Sequence, residues 1–493
     1  MSELLAGPAL LPLLISLPLL GALGSVLLHQ RWPVLIAVIL NLVLAGLLLS
    51  ATQQATLRYS LGGWVAPLGI ALHADTLGAM MVGITALVGV FVSWYSLDYF
   101  VAGSTAERGF WPLWGLLLTA LNTLFLSGDA FNLYVGLEIL SLSAVALVTL
   151  ASRLEAIQAA LRYLLVSLMG SLCYLLGVAL LYHAYATLDL AMLAQLSGDG
   201  MLERAALALM IAGLLLKTAL FPLHFWLPQA HAGAPAPVSA LLSALVLKAT
   251  FYLILRLWFD TLAQAATQLG ALLLGLLGCA AILWGSLQAL RAPRLKLLVA
   301  YSTVAQIGYL FALFPLLSDP RVASAAFDSA LYFILAHACA KGAMFLAAGN
   351  VMTAAGHDRI ADLGGIGAIS ATTLFALAIA GVSLIGLPPT GGFIAKWLLL
   401  QSALQIGAWW LAGVVLIGSL LAAAYIFRVL ALGFTIFESP PVAAVGATST
   451  RTPNATIASG RQWSALALAL AALALGFLAT PVLGLFDAGE LTG

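Results

Sequence analysis

The chain has 493 residues, of which 63% belong to the AVILMFWYC set and only 8% are charged, and its formal net charge is +1. A water-soluble domain carries roughly 45–50% apolar and about 25% charged residues. A soluble fold is therefore excluded, and the near-neutral charge gives no footing for a nucleic-acid partner.

Fourteen apolar stretches in chain order predict an all-α integral membrane protein. They run over 8–28, 32–50, 75–98, 110–128, 130–150, 157–185, 203–220, 236–259, 267–289, 296–316, 323–350, 369–387 continuing to 402, 408–437 and 462–485. Each approaches the ~20 residues that a helix needs to cross a hydrocarbon core of ~30 Å. Met1-Ser2-Glu3 places no basic segment before the first stretch, so that stretch is expected to be a retained helix and not a cleaved signal. Ser439 to Gly460 is rich in Pro, Ala, Ser and Thr and reads as a flexible surface loop. The expected organisation is helices 1–3 in 1–105, one repeat in 106–260, a second in 261–438, the loop in 439–461, and helix 14 with its tail in 462–493.

Basic residues set the expected orientation. Connections after odd-numbered helices carry Arg31, Arg108, Arg153, Arg291, Arg294, Arg359, Arg451 and Arg461; those after even-numbered helices carry Arg58, Arg204, Arg256 and Arg321. The excess places the odd connections in the cytoplasm and both termini outside.

Two helices are expected to break at proline, the seventh at Pro222 and the twelfth at Pro388-Pro389. Proline removes an amide donor and clashes with the preceding turn. Broken backbone persists at membrane depth only where protein packs it or it lines a wet cavity. The breaks lie five helices apart, and an odd offset inverts topology. Helices 4–8 and 9–13 then form two inverted repeats, a layout of secondary transporters.

The charges sharpen this. The arginines fall in loops or near helix ends, whereas Lys217, Lys248, Lys341 and Lys396 fall well inside spans. Arginine holds its proton under almost any condition, while a desolvated lysine gives it up. Lys296 sits at a span entrance, where snorkelling to the headgroups is the simpler reading. Glu138 is the one acid in mid-span, where a carboxylate costs ~2.5–3.5 kcal/mol; Lys217, at similar depth, is its expected partner. His337 and Lys341 share a helix face at i,i+4, and His224 and His231 flank the first break. Imidazole can accept a proton on one nitrogen and release one from the other. Such a row suits protons better than a bulky solute, and it argues against a mere scaffold. Cys173, Cys279 and Cys339 stand apart in apolar segments, with no metal-ligand spacing and no disulfide framework. No nucleotide, haem or Walker motif is visible, so no cofactor or metal is expected, and any redox chemistry would belong to partner subunits.

At these residues the chain resembles the antiporter-like membrane subunits shared by Mrp-type cation/proton antiporters, respiratory complex I and membrane-bound hydrogenases. The likeness rests on Asn132-Leu133-Tyr134 leading to Glu138, and on Lys217 ahead of Phe221-Pro222-Leu223-His224-Phe225-Trp226-Leu227-Pro228. It rests also on the run from Ala230-His231 to Lys248, on Leu295-Lys296-Leu297-Leu298, on His337 with Lys341, and on Gly386-Leu387-Pro388-Pro389-Thr390-Gly391-Gly392-Phe393 before Lys396. It covers roughly residues 70–435. The resemblance implies fourteen helices, a switchable Glu138–Lys217 pair, Lys248 as central relay and Lys396 as the residue that passes protons outward. Lysine at 396 fits the Mrp antiporters and some complex I members of the family. Gln229 stands where relatives commonly have aspartate, which bears on the cytoplasmic intake. The resemblance further implies other membrane subunits as partners, protons with Na⁺ or K⁺ as cargo, and a bacterial cytoplasmic membrane as the site.

Overall fold

The computed structural model describes residues 7–363, 370–433 and 456–485. Met1-Ser2-Glu3, residues 439–455 of the expected loop with Arg451, and the tail beyond 485 lie outside the described residues. In chain order the helices are α1 (Leu10–Leu28), α2 (Trp32–Thr52), α3 (Thr76–Tyr99), α4 (Thr105–Leu126), α5 (Ala130–Thr149) and α6 (Leu154–Tyr185). Next come α7a (Met201–Thr218), α7b (Leu227–Gly233), α8 (Ala236–Thr261), α9 (Gln268–Arg291), α10 (Leu295–Leu317) and α11 (Ala323–Ala355). The last are α12a (Ala371–Ile385), α12b (Gly391–Gln405), α13 (Trp409–Gly433) and α14 (Ser459–Ala474).

Eleven of these, all but the two halves of α7, the two of α12, and α14, are long and apolar enough to cross a membrane on their own. The exceptions have local causes. Helix α7a stops at Ala219, which turns left-handed at φ 56° ahead of Pro222. Helix α12a stops at Gly386, left-handed at φ 87°, ahead of Pro388 and Pro389. Both expected breaks therefore fall where the prolines place them. Short polar side chains start several helices by accepting a first-turn amide: Asp75 from Gly78, Ser104 from Glu107, Asp129 from Asn132, Thr390 from Phe393.

Three features depart from expectation. The segment between α2 and α3 forms an antiparallel hairpin of β1 (Leu57–Ser60) and β2 (Ala71–Ala74), with Leu57 opposite Ala74. A short helix, Leu190–Leu196, follows α6, and Arg58 reaches from β1 to Asp189 at its start. Helix α14 begins at Ser459, so Gly460 and Arg461, expected in the loop, belong to its first turn.

Burial sorts the bundle into layers. The apolar windows of α8 and α11 are wholly buried, whereas α1, α2 and α13 turn Leu, Ile and Trp faces outward. Close approach of α6 and α7a depends on glycine: a Cβ on Gly213 would run into the Gly170 carbonyl oxygen. In a membrane, small residues at such contacts allow dispersion forces to hold helices together. The two innermost helices carry Lys248 and Lys341.

Candidate functional site, a buried row of lysines

All five lysines are buried, none more than 6% exposed. Every ion pair found among the described residues is made by an arginine, and no lysine has one. Buried ammonium groups need other oxygens, and the fold supplies them in two ways.

The first is side-chain hydroxyl. Lys217, in the last turn of α7a, donates to Ser141 Oγ of α5 and to Ser167 Oγ of α6, each at 2.7 Å. Ser167 and Ser141 are themselves 2.6 Å apart. The expected contact between Glu138 and Lys217 is not made. Glu138 lies one turn before Ser141 on α5 and is partly exposed, so the serines intercept the ammonium group while the Glu138 charge acts on it through space.

The second is main-chain carbonyl released by irregular backbone. Helix α8 widens to π geometry over Leu242–Val246, which frees the Ser243 carbonyl to accept from Lys248 five residues on. Such π-bulges concentrate at functional sites. Lys396, on α12b, reaches back across the break to the Leu384 and Ile385 carbonyls at 2.9 and 3.1 Å. It also donates to Ser419 Oγ at 3.2 Å and lies 4.2 Å from the Tyr309 ring centroid, a cation–π contact. Lys341 donates to the Val299 carbonyl at 3.1 Å and to Ser302.

Two histidines join these groups. The charges of Lys248, Lys341 and Lys396 all act on His337, whose two ring nitrogens have no hydrogen-bond partner among the described residues. His337 and Lys396 line one small cavity of 10 Å³ with Ser383 and Gln306, about the space of a single water. His231, packed edge-on to Phe345, lies within the fields of Lys296, Lys248 and Lys341.

The sequence profile described as "NADH:quinone oxidoreductase/Mrp antiporter, TM" matches residues 127–422. The chain belongs to this family. It is 39% identical over 378 residues to the N subunit of the NADH-quinone oxidoreductase of Desulforudis audaxviator, covering 76% of this chain and 74% of that one. It is 29% identical over 415 residues to the D subunit of the Na(+)/H(+) antiporter of Alkalihalophilus pseudofirmus, covering 82% and 81%. A chain from the structure of the membrane-bound sulfane sulfur reductase, an archaeal respiratory membrane complex, superposes with a TM-score of 0.87 at 28% identity, covering 98% of this chain and 97% of that one.

The family's matched region holds every lysine of the row, but the structure moves some site residues from their expected places. Lys296 does not snorkel: it is buried and donates to the Ala234 carbonyl, in the link between α7b and α8. It lies on the wall of an open cavity of 770 Å³ shared with Tyr99, Arg153, Glu155, Arg294 and Thr353. His224 stays outside the row, stacked on Phe221 at 5.5 Å, with no lysine among the groups acting on it. Sequence reasoning misses Ser141, Ser167, Ser302 and Tyr309, and it misses Arg461. That guanidinium is buried against Tyr95 and Tyr99, with centroids at 5.0 and 5.2 Å, and donates to Tyr95 Oη, the Gly349 carbonyl and Thr353.

Proposed function

We propose that the chain is the proton-translocating membrane subunit of a multi-subunit monovalent cation/proton antiporter, most like the D subunit of the Mrp type. The observation that carries this reading is a row of buried lysines, none in an ion pair among the described residues, with His231 and His337 within their fields. Lysine so placed can exist with or without its proton.

In this reading protons enter from the cytoplasm through the open cavity beside Lys296 and pass His231 to Lys248 and Lys341. They continue through His337 to Lys396, which releases them outward. Lys217 moves between its serine seat and Glu138, and its charge controls the occupancy of Lys248. The chain crosses a bacterial cytoplasmic membrane fourteen times, with both termini outside, and helices 4–8 and 9–13 are inverted repeats. Other membrane subunits of the same complex are its partners, and Na⁺ or K⁺ the exchanged cation.

A second reading is a proton-pumping subunit of complex I or of a hydrogenase-type complex, favoured by the 39% identity to an N subunit of NADH-quinone oxidoreductase. The two differ in partners. Purification of the native complex decides between them: small multi-span antiporter proteins support the first, iron–sulfur proteins the second. Proton-gradient dissipation in vesicles tests the relay shared by both, and unchanged flux in Lys248→Ala would overturn it. Orientation has its own test. A thiol placed at Asp199 should be labelled from outside intact cells and one at Arg291 should not; the reverse pattern would invert the topology.

A further inference from the structure

On the other flank of the α3–α4 turn from the Lys296 cavity, that turn and the α1–α2 turn face each other across a cleft of 470 Å³. His29, Arg31 and Trp32 line one side, and Glu107, Arg108 and Trp111 the other. We propose that this cleft binds the headgroup of an anionic phospholipid.

Charge comes first. Arg31 pairs with Glu107 at 3.4 Å, and the same carboxylate accepts from the Gly103 amide at 2.6 Å. Arg108 is exposed and makes none of the ion pairs found among the described residues. Two guanidinium groups against one carboxylate leave a net positive cleft, and guanidinium matches the planar, paired oxygens of a phosphate. The floor comes second. Trp111 lines the cleft but is only 2% exposed, and its indole nitrogen is buried away from the open space, so polar recognition falls to the guanidinium groups while Trp111 sits within reach of a quencher on a bound lipid. Surroundings come third. Val26, Leu27, Leu28 and Trp32 are all at least half exposed on the α1–α2 flank, a surface suited to acyl chains with an interfacial tryptophan at the polar boundary. A free phosphate would satisfy the charge and leave this flank without purpose. Basic pockets between transmembrane helices at the membrane surface are a recurring form of anionic-lipid site.

The test uses the full chain in its purified complex, in nanodiscs containing phosphatidylglycerol with brominated acyl chains. Subtracting the Trp111→Phe emission from the parent emission isolates Trp111. Brominated phosphatidylglycerol is expected to quench that difference several-fold more than brominated phosphatidylcholine at the same mole fraction. Arg108→Gln, which removes no contact seen in the structure, should abolish the preference. Glycerol 3-phosphate at millimolar concentration should not compete. Equal quenching by both lipids, or a preference that survives in Arg108→Gln, would reduce the cleft to ordinary lipid contact and overturn the proposal. Full competition by glycerol 3-phosphate would overturn it in favour of a soluble phosphate ligand.

Discussion

Lys217 and Lys396 each sit beside a proline break, one in each half of the bundle, and they are held by different chemistry. Lys217 precedes its break and rests on two serine hydroxyls from neighbouring helices, with Glu138 one turn away. Lys396 follows its break and rests on two carbonyls of its own interrupted helix, a serine and a tyrosine face. Hydroxyls rotate and can be abandoned for a carboxylate. Carbonyls at a helix end are fixed and have nowhere to turn. Under the proposed relay, this difference fits one lysine to change partners and the other to change protonation in place.

The sharpest way to break this comparison is to remove the alternative partner. Glu138→Gln should bring proton flux in reconstituted complexes to background while assembly survives, and Glu138→Asp should keep part of it; normal flux in Glu138→Gln would remove the switch. Next comes Lys396→Arg. Arginine keeps the charge but does not release a proton at accessible pH, so this variant should fail as completely as Lys396→Ala. A fully active arginine variant would make Lys396 a static counter-charge.

A smaller effect is expected at the serine seat. A hydrogen bond to a charged group contributes ~1.5–3 kcal/mol, so Ser141→Ala with Ser167→Ala should bias Lys217 toward Glu138 and slow flux by roughly tenfold or more. Ser141→Thr, which keeps the hydroxyl, should stay near the parent rate; equal slowing in both would assign the loss to packing. The smallest effects concern the hinges. Gly386→Ala asks alanine to hold φ 87° and brings its Cβ within 2.7 Å of Lys396 Cδ. The left-handed conformation alone costs ~1–2 kcal/mol, so thermal unfolding in detergent should occur a few degrees lower. Ala219→Gly, at φ 56°, should shift it by less, because glycine adopts that conformation freely. A larger loss at Ala219 than at Gly386 would contradict the view of the second break as the more constrained.

Much of this is legible in the sequence, for identifiable reasons. Apolar stretches of membrane length have few other uses, and Pro222 and Pro388-Pro389 mark the breaks because proline cannot continue a helix. Charged residues inside such stretches stand out, so the lysines and Glu138 can be named. Their partners cannot. Ser141 and Ser167 look like packing residues until two helices bring them onto one ammonium group. The π segment at Leu242–Val246 has no glycine or proline to announce it. Lys296 lies three residues past Pro293, and nothing local says that α7b and the start of α8 close over it. Arg461 adjoins a low-complexity stretch and reads as part of it. The hairpin at Leu57–Ala74 is too short to give a clear alternating pattern.

The carbonyl cradle around Lys396 has a consequence for how this protein tolerates change. Leu384 and Ile385 offer the ammonium group oxygens that every amino acid carries, while their side chains are buried in the core, so their identity can change only where a new apolar side chain still fits. A saturation survey of single substitutions would read both positions as core packing and pass over the groups that touch the ammonium directly. What the ammonium group requires is a shape, a helix that stops at residue 385, and the cradle persists as long as the glycine and the prolines that halt the helix remain.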